Sequence, residues 1–248
     1  MNRILFEKSE VRAGRAVFGG VRAEHVLNVL HGAVGQILKT GEVNGLIGTS
    51  VIECIEPLPP DPATHLLQGR ITVRVTHDTE AVAPWADLIL APPRPRAFKR
   101  LLPQLAQMGV GRIFLVGAAK VEKAFWGAQL LKPEVHRPLL LEGLMQAGTT
   151  ALPTITCVRS FARWMADGFE QACGEQTWRV VAHPAPQGSP TPMGDAGRLL
   201  LAIGPEGGWT DDEVACLEMH GFARCSLGPR ILRTDTATVA VLARLMTF

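Results

Sequence analysis

Short apolar runs of strand length alternate with amphipathic stretches along this chain, most regularly over residues 199–248. Leu199–Ile203 is a continuous apolar run, followed at once by Gly204-Pro205-Glu206-Gly207-Gly208. That pentapeptide dictates a tight turn, because glycine tolerates positive φ and proline fixes its own. Thr210 with Glu213 three positions later forms a capping box, which predicts a helix running toward Gly221. Residues 222–227 read as the next strand, broken by Gly228-Pro229. Thr234 or Asp235 is placed to cap a final helix with Val239, Leu242 and Leu245 on one face.

Upstream, residues 1–68 are β-rich. A short helix over 24–30 precedes alternating stretches at 35–40 and 46–55, which predict strands joined by a hairpin turn at Asn44-Gly45. The run Pro57-Leu58-Pro59-Pro60-Asp61-Pro62 is a stiff connector, so the domain boundary is expected just after it, with residues 69–248 forming a second domain. That domain is predicted to open on a β-branched strand at 71–75 and to continue with apolar strands at 88–91, 113–116, 154–157, 179–182 and 199–203. Helical stretches lie at 98–108, interrupted by Pro103, and at 134–147. Strands alternating with helices predict an α/β fold with a parallel sheet. Residues 183–190 are too proline-rich for a regular element, and 185–195 are expected to form an exposed loop.

Composition narrows the class. At 248 residues, 47% hydrophobic and 19% charged, the chain suits a globular protein of two domains. No apolar run reaches membrane-spanning length, and MNRILFEKSE lacks the apolar core of a signal peptide. Cys54, Cys157, Cys173, Cys216 and Cys225 are scattered and odd in number, as expected of reduced thiols in a cytoplasmic protein with neither a disulfide framework nor a zinc site. Formal charge is only +2, yet nine basic residues face two acidic ones between positions 94 and 137. Arg94, Arg96, Lys99, Arg100, Arg112, Lys120, Lys123, Lys132 and Arg137 form a stripe suited to a polyanion, while residues 1–70 are balanced at seven against seven. Phe125 and Trp126 beside the lysines are candidates for stacking on an unpaired base, or else core aromatics on a solvated face.

The two glycine-proline loops follow adjacent strands and open helices, which is where open α/β sheets bind ligands. Helix N-termini usually receive phosphate, but Glu206, Asp211 and Asp212 place three carboxylates there with no lysine nearby. Neither the P-loop pattern nor G-x-G-x-x-G occurs. A cationic, phosphate-free ligand such as S-adenosylmethionine satisfies that chemistry; so does an ordinary acidic helix cap with no ligand at all.

GPEGGWTDDE followed by LGPRILRTDTA resembles, at nearly full length and spacing, the paired cofactor loops of the RsmE-type 16S rRNA (uridine-N3) methyltransferases of the SPOUT superfamily. The resemblance implies a C-terminal SPOUT domain whose parallel sheet carries a deep trefoil knot, and a small N-terminal PUA-like β-barrel domain for RNA. It implies S-adenosyl-L-methionine as cofactor, 16S rRNA of the small ribosomal subunit as partner, a homodimer through the C-terminal domain, and no metal. By motif matching it assigns cofactor binding to His183, Ile203, Gly204, Pro205, Gly208, Leu227, Gly228, Ile231, Leu232 and Thr234. Arg233 is implied to stabilise the developing uridine anion, and Glu206 is the nearest candidate base. The family's Glu-Gln-x-x-Arg signature is Met145-Gln146-Ala147-Gly148-Thr149 here, its Val-Leu-Arg is Val29-Leu30-His31, its Gly-Asp is Gly35-Gln36, and its Glu-Leu-Gly-Val is Gln107-Met108-Gly109-Val110. The donor loops are kept while polar positions expected near RNA change. Methylation of another RNA, or a non-catalytic role in RNA binding or ribosome assembly, stays open as an alternative.

Overall fold

The computed structural model describes residues 2–60, 62–176, 178–184 and 197–246; the loop expected at 185–195 lies outside the described residues. The chain divides into two compact units, Met1–Val82 with Leu144–Leu152, and Ala83–Gly143 with Pro153–Phe248.

The first unit contains β1 (Ile4–Phe6), β2 (Val11–Arg12), β3 (Arg15–Phe18), α1 (Gly20–Asn28), β4 (Ile37–Glu42), β5 (Ile47–Leu58) and β6 (Gln68–Thr79). These strands form a six-stranded sheet in the order β1-β4-β5-β6-β3-β2, antiparallel except for the β1–β4 pair. The Asn44-Gly45 turn forms as expected: Asn44 adopts φ 57°, and Gly45 N donates to Glu42 O at 2.8 Å. The expected start of the second domain at residues 71–75 is corrected. Ile71 pairs with Ile55 and Phe18, and Ile71 and Val73 are buried in the core with Phe6, Phe18, Val26 and Ile52. The proline run therefore connects two strands of one sheet, and Pro57 is itself the penultimate residue of β5, opposite Gly69. Proline at a strand end removes a donor without breaking the ladder behind it.

Leu144–Leu152 belongs to this unit through a dense set of backbone bonds. Met145 O accepts from Asn2 N and Arg3 N at 2.9 and 3.0 Å. The Arg3 guanidinium donates to Gly148 O, Thr40 O and Gly48 O, and Thr150 Oγ1 donates to Gly45 O at 2.7 Å.

The second unit carries β7 (Ala86–Leu90), α2 (Pro95–Gln107), β8 (Val110–Val116), most of α3 (Pro133–Ala147), β9 (Thr154–Val158), α4 (Phe161–Asp167), α5 (Phe169–Cys173), β10 (Trp178–Ala182), β11 (Leu199–Ile203), α6 (Asp211–Met219), β12 (Ala223–Cys225) and α7 (Thr234–Leu245). The sheet runs β12-β10-β11-β7-β8-β9 and every pair is parallel. Central β7 and β11 are buried at every position, which is why β11 reads as an unbroken apolar run and β7 as one after Asp87. From β7 the chain winds outward through β8 to β9 on one side, while β11, β10 and β12 fill the other. The strand order thus reverses between β7 and β11, and a crevice is expected at their carboxyl ends.

Two local expectations are corrected. The strand expected over 222–227 is confined to Ala223–Cys225. Neither Thr234 nor Asp235 caps α7: Arg233 occupies the N-cap without a side-chain cap bond. Thr234 is buried inside the first turn, and the Asp235 carboxylate instead takes Arg100 at 2.8 Å and Thr236 N at 3.0 Å. Among the described residues no helix is long and apolar enough to cross a membrane.

Candidate functional site

The loop after β11 is built by its own glycines and by two neighbours distant in sequence. A Cβ on Gly204 would lie 3.0 Å from Trp209 N, so the close return of the chain requires glycine there. Gly208 has φ +71° and donates its N–H to Pro205 O at 2.8 Å, closing the turn. Thr210 and Glu213 form the expected capping box, with Thr210 N on Glu213 Oε2 at 2.9 Å and Glu213 N on Thr210 Oγ1 at 3.3 Å.

Glu213 does more than cap. Its carboxylate is only 8% exposed, and its second oxygen accepts Ala119 N at 2.7 Å from the segment after β8. Next to Ala119, Lys120 donates from Nζ to Gly207 O at 2.9 Å. This corrects the expectation of an entrance with no lysine: the cation arrives from 87 positions away. Glu206 is tied similarly, its Oε1 accepting Arg94 N at 3.1 Å from the loop after β7. Ala91 N donates to Ile203 O at 2.9 Å, continuing the ladder to the edge of the site.

The second loop follows β12, which is not adjacent to β11 as expected but separated from it by β10. His183 N donates to Cys225 O at 3.2 Å, and Gly228 has φ +95°. Burial, with Arg224 adding to it, lowers the His183 pKa below the ordinary imidazole value and favours the neutral ring. Together the loops enclose a cleft of about 510 Å³. His183, Pro205, Glu206, Gly208, Leu227, Gly228, Ile231 and Leu232 line it. Ile203, the last residue of β11, and Gly204 after it are not among the lining residues, and Thr234 is buried in α7, where its carbonyl accepts Thr238 Oγ1 at 2.7 Å. Arg233 is exposed at the start of α7 and is not among the lining residues. Sequence reasoning missed Ala237 and Val241, which line the cleft from α7 four positions apart; that i,i+4 spacing was the available signal.

Two readings of the basic segment change. Phe125 is buried edge-on against Phe98 at 5.7 Å and is a core residue, while Trp126 is half-buried against it. Arg112 leaves the stripe: it sits near the start of β8 and pairs at 2.8 Å with the wholly buried Asp87, which also takes Arg198 and Gln176. Asp87 lies near the beginning of β7, at the opposite end of the sheet from the cleft.

A profile described as an RNA methyltransferase domain matches residues 81–246. The ribosomal RNA small subunit methyltransferase E of Treponema pallidum is 32% identical, covering 98% of this chain and 90% of that protein. The ribosomal RNA small subunit methyltransferase E 1 of Borreliella burgdorferi is 24% identical over 59% of this chain and 60% of its own length. In fold, the chain is similar to a ribosomal RNA small subunit methyltransferase E from Neisseria gonorrhoeae crystallised with S-adenosyl methionine. That likeness has a TM-score of 0.65 at 20% identity and covers 98% and 96% of the two chains. A domain match spanning two glycine-proline loops that line one cleft at the carboxyl ends of β10, β11 and β12, with a relative aligned over nearly the whole chain, places this protein in the RNA methyltransferase family, with the ribosomal RNA small subunit methyltransferase E proteins.

Proposed function

We propose that this protein transfers the methyl group of S-adenosyl-L-methionine to N3 of a uridine in 16S rRNA of the small ribosomal subunit. The observation that carries the reading is the cleft between the two loops, whose chemistry fits that donor. Its side-chain charges are Glu206, suited to a sulfonium or ammonium, and Arg230, suited to the donor's carboxylate, and its tight loops bring backbone groups close to a ligand. Ile231 is 100% exposed at its lip, an apolar side chain that gains burial once an adenosine covers it. When bound, the donor supplies an electrophilic methyl group. The chain's own residues have to orient the acceptor and deal with its proton, since uridine N3 is a weak acid. Arg233, exposed at the start of α7, stabilises the negative charge that develops on the base, and Glu206 is the candidate proton acceptor.

The finer architecture follows the same reading. The Met1–Val82 unit with Leu144–Leu152 acts as a PUA-like RNA-binding barrel, and residues 83–143 and 153–248 as the SPOUT domain with its trefoil knot. In support, β11 lies inside the sheet between β10 and β7, while α7, further along the chain, returns to pack on α2 and β11. A homodimer forms through α7, where Val239, Ala240 and Met246 are only half-buried. The compartment is the cytoplasm.

One observation favours a second reading of the substrate. Of the positions that differ from the family signature, His31, Gln36, Met145 and Thr149 fall in the first unit and Gln107 and Met108 in the second, away from both donor loops in sequence. Donor chemistry is thus conserved beside altered recognition, as for methylation of a different RNA. Methyl transfer from labelled S-adenosylmethionine to small subunits lacking 3-methyluridine, followed by nucleoside analysis, separates the two. Label in 3-methyluridine supports the first reading, and label in another nucleoside the second.

A further inference from the structure

A second, smaller cleft of about 260 Å³ lies on the other side of the loop at residues 205–207, between the segment after β7 and the segment after β8. Pro92, Pro93 and Pro95 form one wall and have no backbone N–H; the first two are buried, and Pro95 offers the exposed apolar surface. Arg94, Lys120 and Glu122 supply the charge. Arg94 Nε and Glu122 Oε1 are 3.7 Å apart with side chains 74% and 68% exposed, so the pair is weak and easily opened. Lys120 uses one of its three ammonium protons on Gly207 O. Pro205, Glu206 and Gly207 line both clefts, and Arg94 N is bonded to Glu206.

We infer that this cleft receives a nucleotide flanking the acceptor in an unpaired RNA segment, and that Glu122 guards it by occupying Arg94 until a phosphate displaces it. The inference rests on the methyltransferase reading and deepens it. The proline wall accommodates a base taken out of its stack, and the two cations meet the adjoining phosphodiester. A phosphate can engage the guanidinium through two parallel hydrogen bonds, which a single contact at 3.7 Å cannot match. Lys120 then bridges the incoming phosphate to the loop that also borders the donor cleft.

The test measures binding of small-subunit rRNA lacking 3-methyluridine to the full chain, with S-adenosylhomocysteine present to prevent turnover, as a function of salt. Arg94→Gln is expected to weaken binding several-fold at low salt. It should also lower the slope of log K against log salt by about 0.7, the loss of one single-strand phosphate contact. Glu122→Gln is expected to tighten binding several-fold, and to lose that effect in the Arg94→Gln background. An equal gain in both backgrounds would mean a general field effect and overturn the guard. Unchanged affinity and slope in Arg94→Gln would overturn the cleft assignment. Uridine 5′-monophosphate should compete with the RNA where inorganic phosphate at the same concentration does not; equal competition would leave an anion site and overturn the nucleotide. Wild-type turnover on the same RNA is measured in parallel. If wild type methylates it and Arg94→Gln behaves identically, this inference alone fails. If wild type binds the donor and methylates no RNA, the functional reading fails with it.

Discussion

Replacing Glu213 with glutamine keeps the size of the side chain and removes the ability of one terminus to accept. In the structure both carboxylate oxygens are used, Oε1 by Ala119 N at 2.7 Å and Oε2 by Thr210 N at 2.9 Å. Whichever way the amide is oriented, its NH₂ faces a backbone N–H, and one part-buried donor is left without an acceptor. An orphaned buried donor costs about 1–3 kcal/mol, and the surviving bond also loses its charge assistance. Because both donors are only part-buried, the expected loss is about 1–2 kcal/mol, which in a chain of this length lowers the melting temperature by roughly 2–8 °C. The damage is expected to be local as well as global. Ala119 precedes Lys120, whose ammonium holds Gly207 O, so loosening the first contact frees the loop that borders the donor cleft. Thermal unfolding with and without S-adenosylmethionine, together with calorimetric titration of the donor, reads both effects. Glu213→Gln should unfold earlier and bind the donor at least several-fold more weakly, while Glu213→Ala should be no better. Wild-type melting and wild-type affinity in Glu213→Gln would refute the coupling of the β8 segment to the donor loop.

Three further outcomes are expected. Gly208→Ala should cost about 1–2 kcal/mol by denaturant unfolding, from backbone strain alone, because φ is +71° and a Cβ there meets nothing within 4 Å. Asp87→Asn should cost about 2 kcal/mol in the same assay by leaving Arg112 and Arg198 without their carboxylate. That is less than for a fully buried pair, since the two guanidinium side chains are 36% and 34% exposed. Because Asp87 lies at the far end of the sheet, donor affinity of the folded protein should be unchanged in calorimetric titration. His183 has a folded pKa below its ordinary value of 6.5, so its contribution is present above that value and is lost as pH falls through the folded pKa. Donor affinity should accordingly be flat from pH 6.5 to 8 and weaken in acid as an imidazolium enters a cleft meant for a cation. His183→Gln should lessen that acid limb.

Much of the second unit was legible because its central strands are buried on both faces and so contain unbroken apolar runs. The capping box at Thr210 was legible for the opposite reason, being wholly local. What stayed hidden depends on contacts between distant segments. Nothing near Gly207 in the sequence announces Lys120, and nothing near Glu213 announces Ala119. The proline run after Cys54 misled for a physical reason: stiffness alone does not distinguish a connector between domains from one between two strands of a sheet. Only the burial of Ile71 and Val73 with Phe6 and Phe18 decides it. Phe125 shows the same limit, since an aromatic beside lysines looks available for stacking until Phe98 is seen against it. Arg112 counted toward the basic stripe because a charge sum does not register a carboxylate 25 positions away.

The most direct test of the central claim is methyl transfer itself. Small ribosomal subunits lacking 3-methyluridine are incubated with the protein and labelled S-adenosylmethionine, and the rRNA is digested to nucleosides. A methyl group on N3 also blocks Watson–Crick pairing, so reverse transcription locates the site independently. Label in 3-methyluridine at a single position is the expected result, and Arg233→Ala should abolish it while still binding the donor. An absence of label in any nucleoside, with donor binding intact, would contradict the claim.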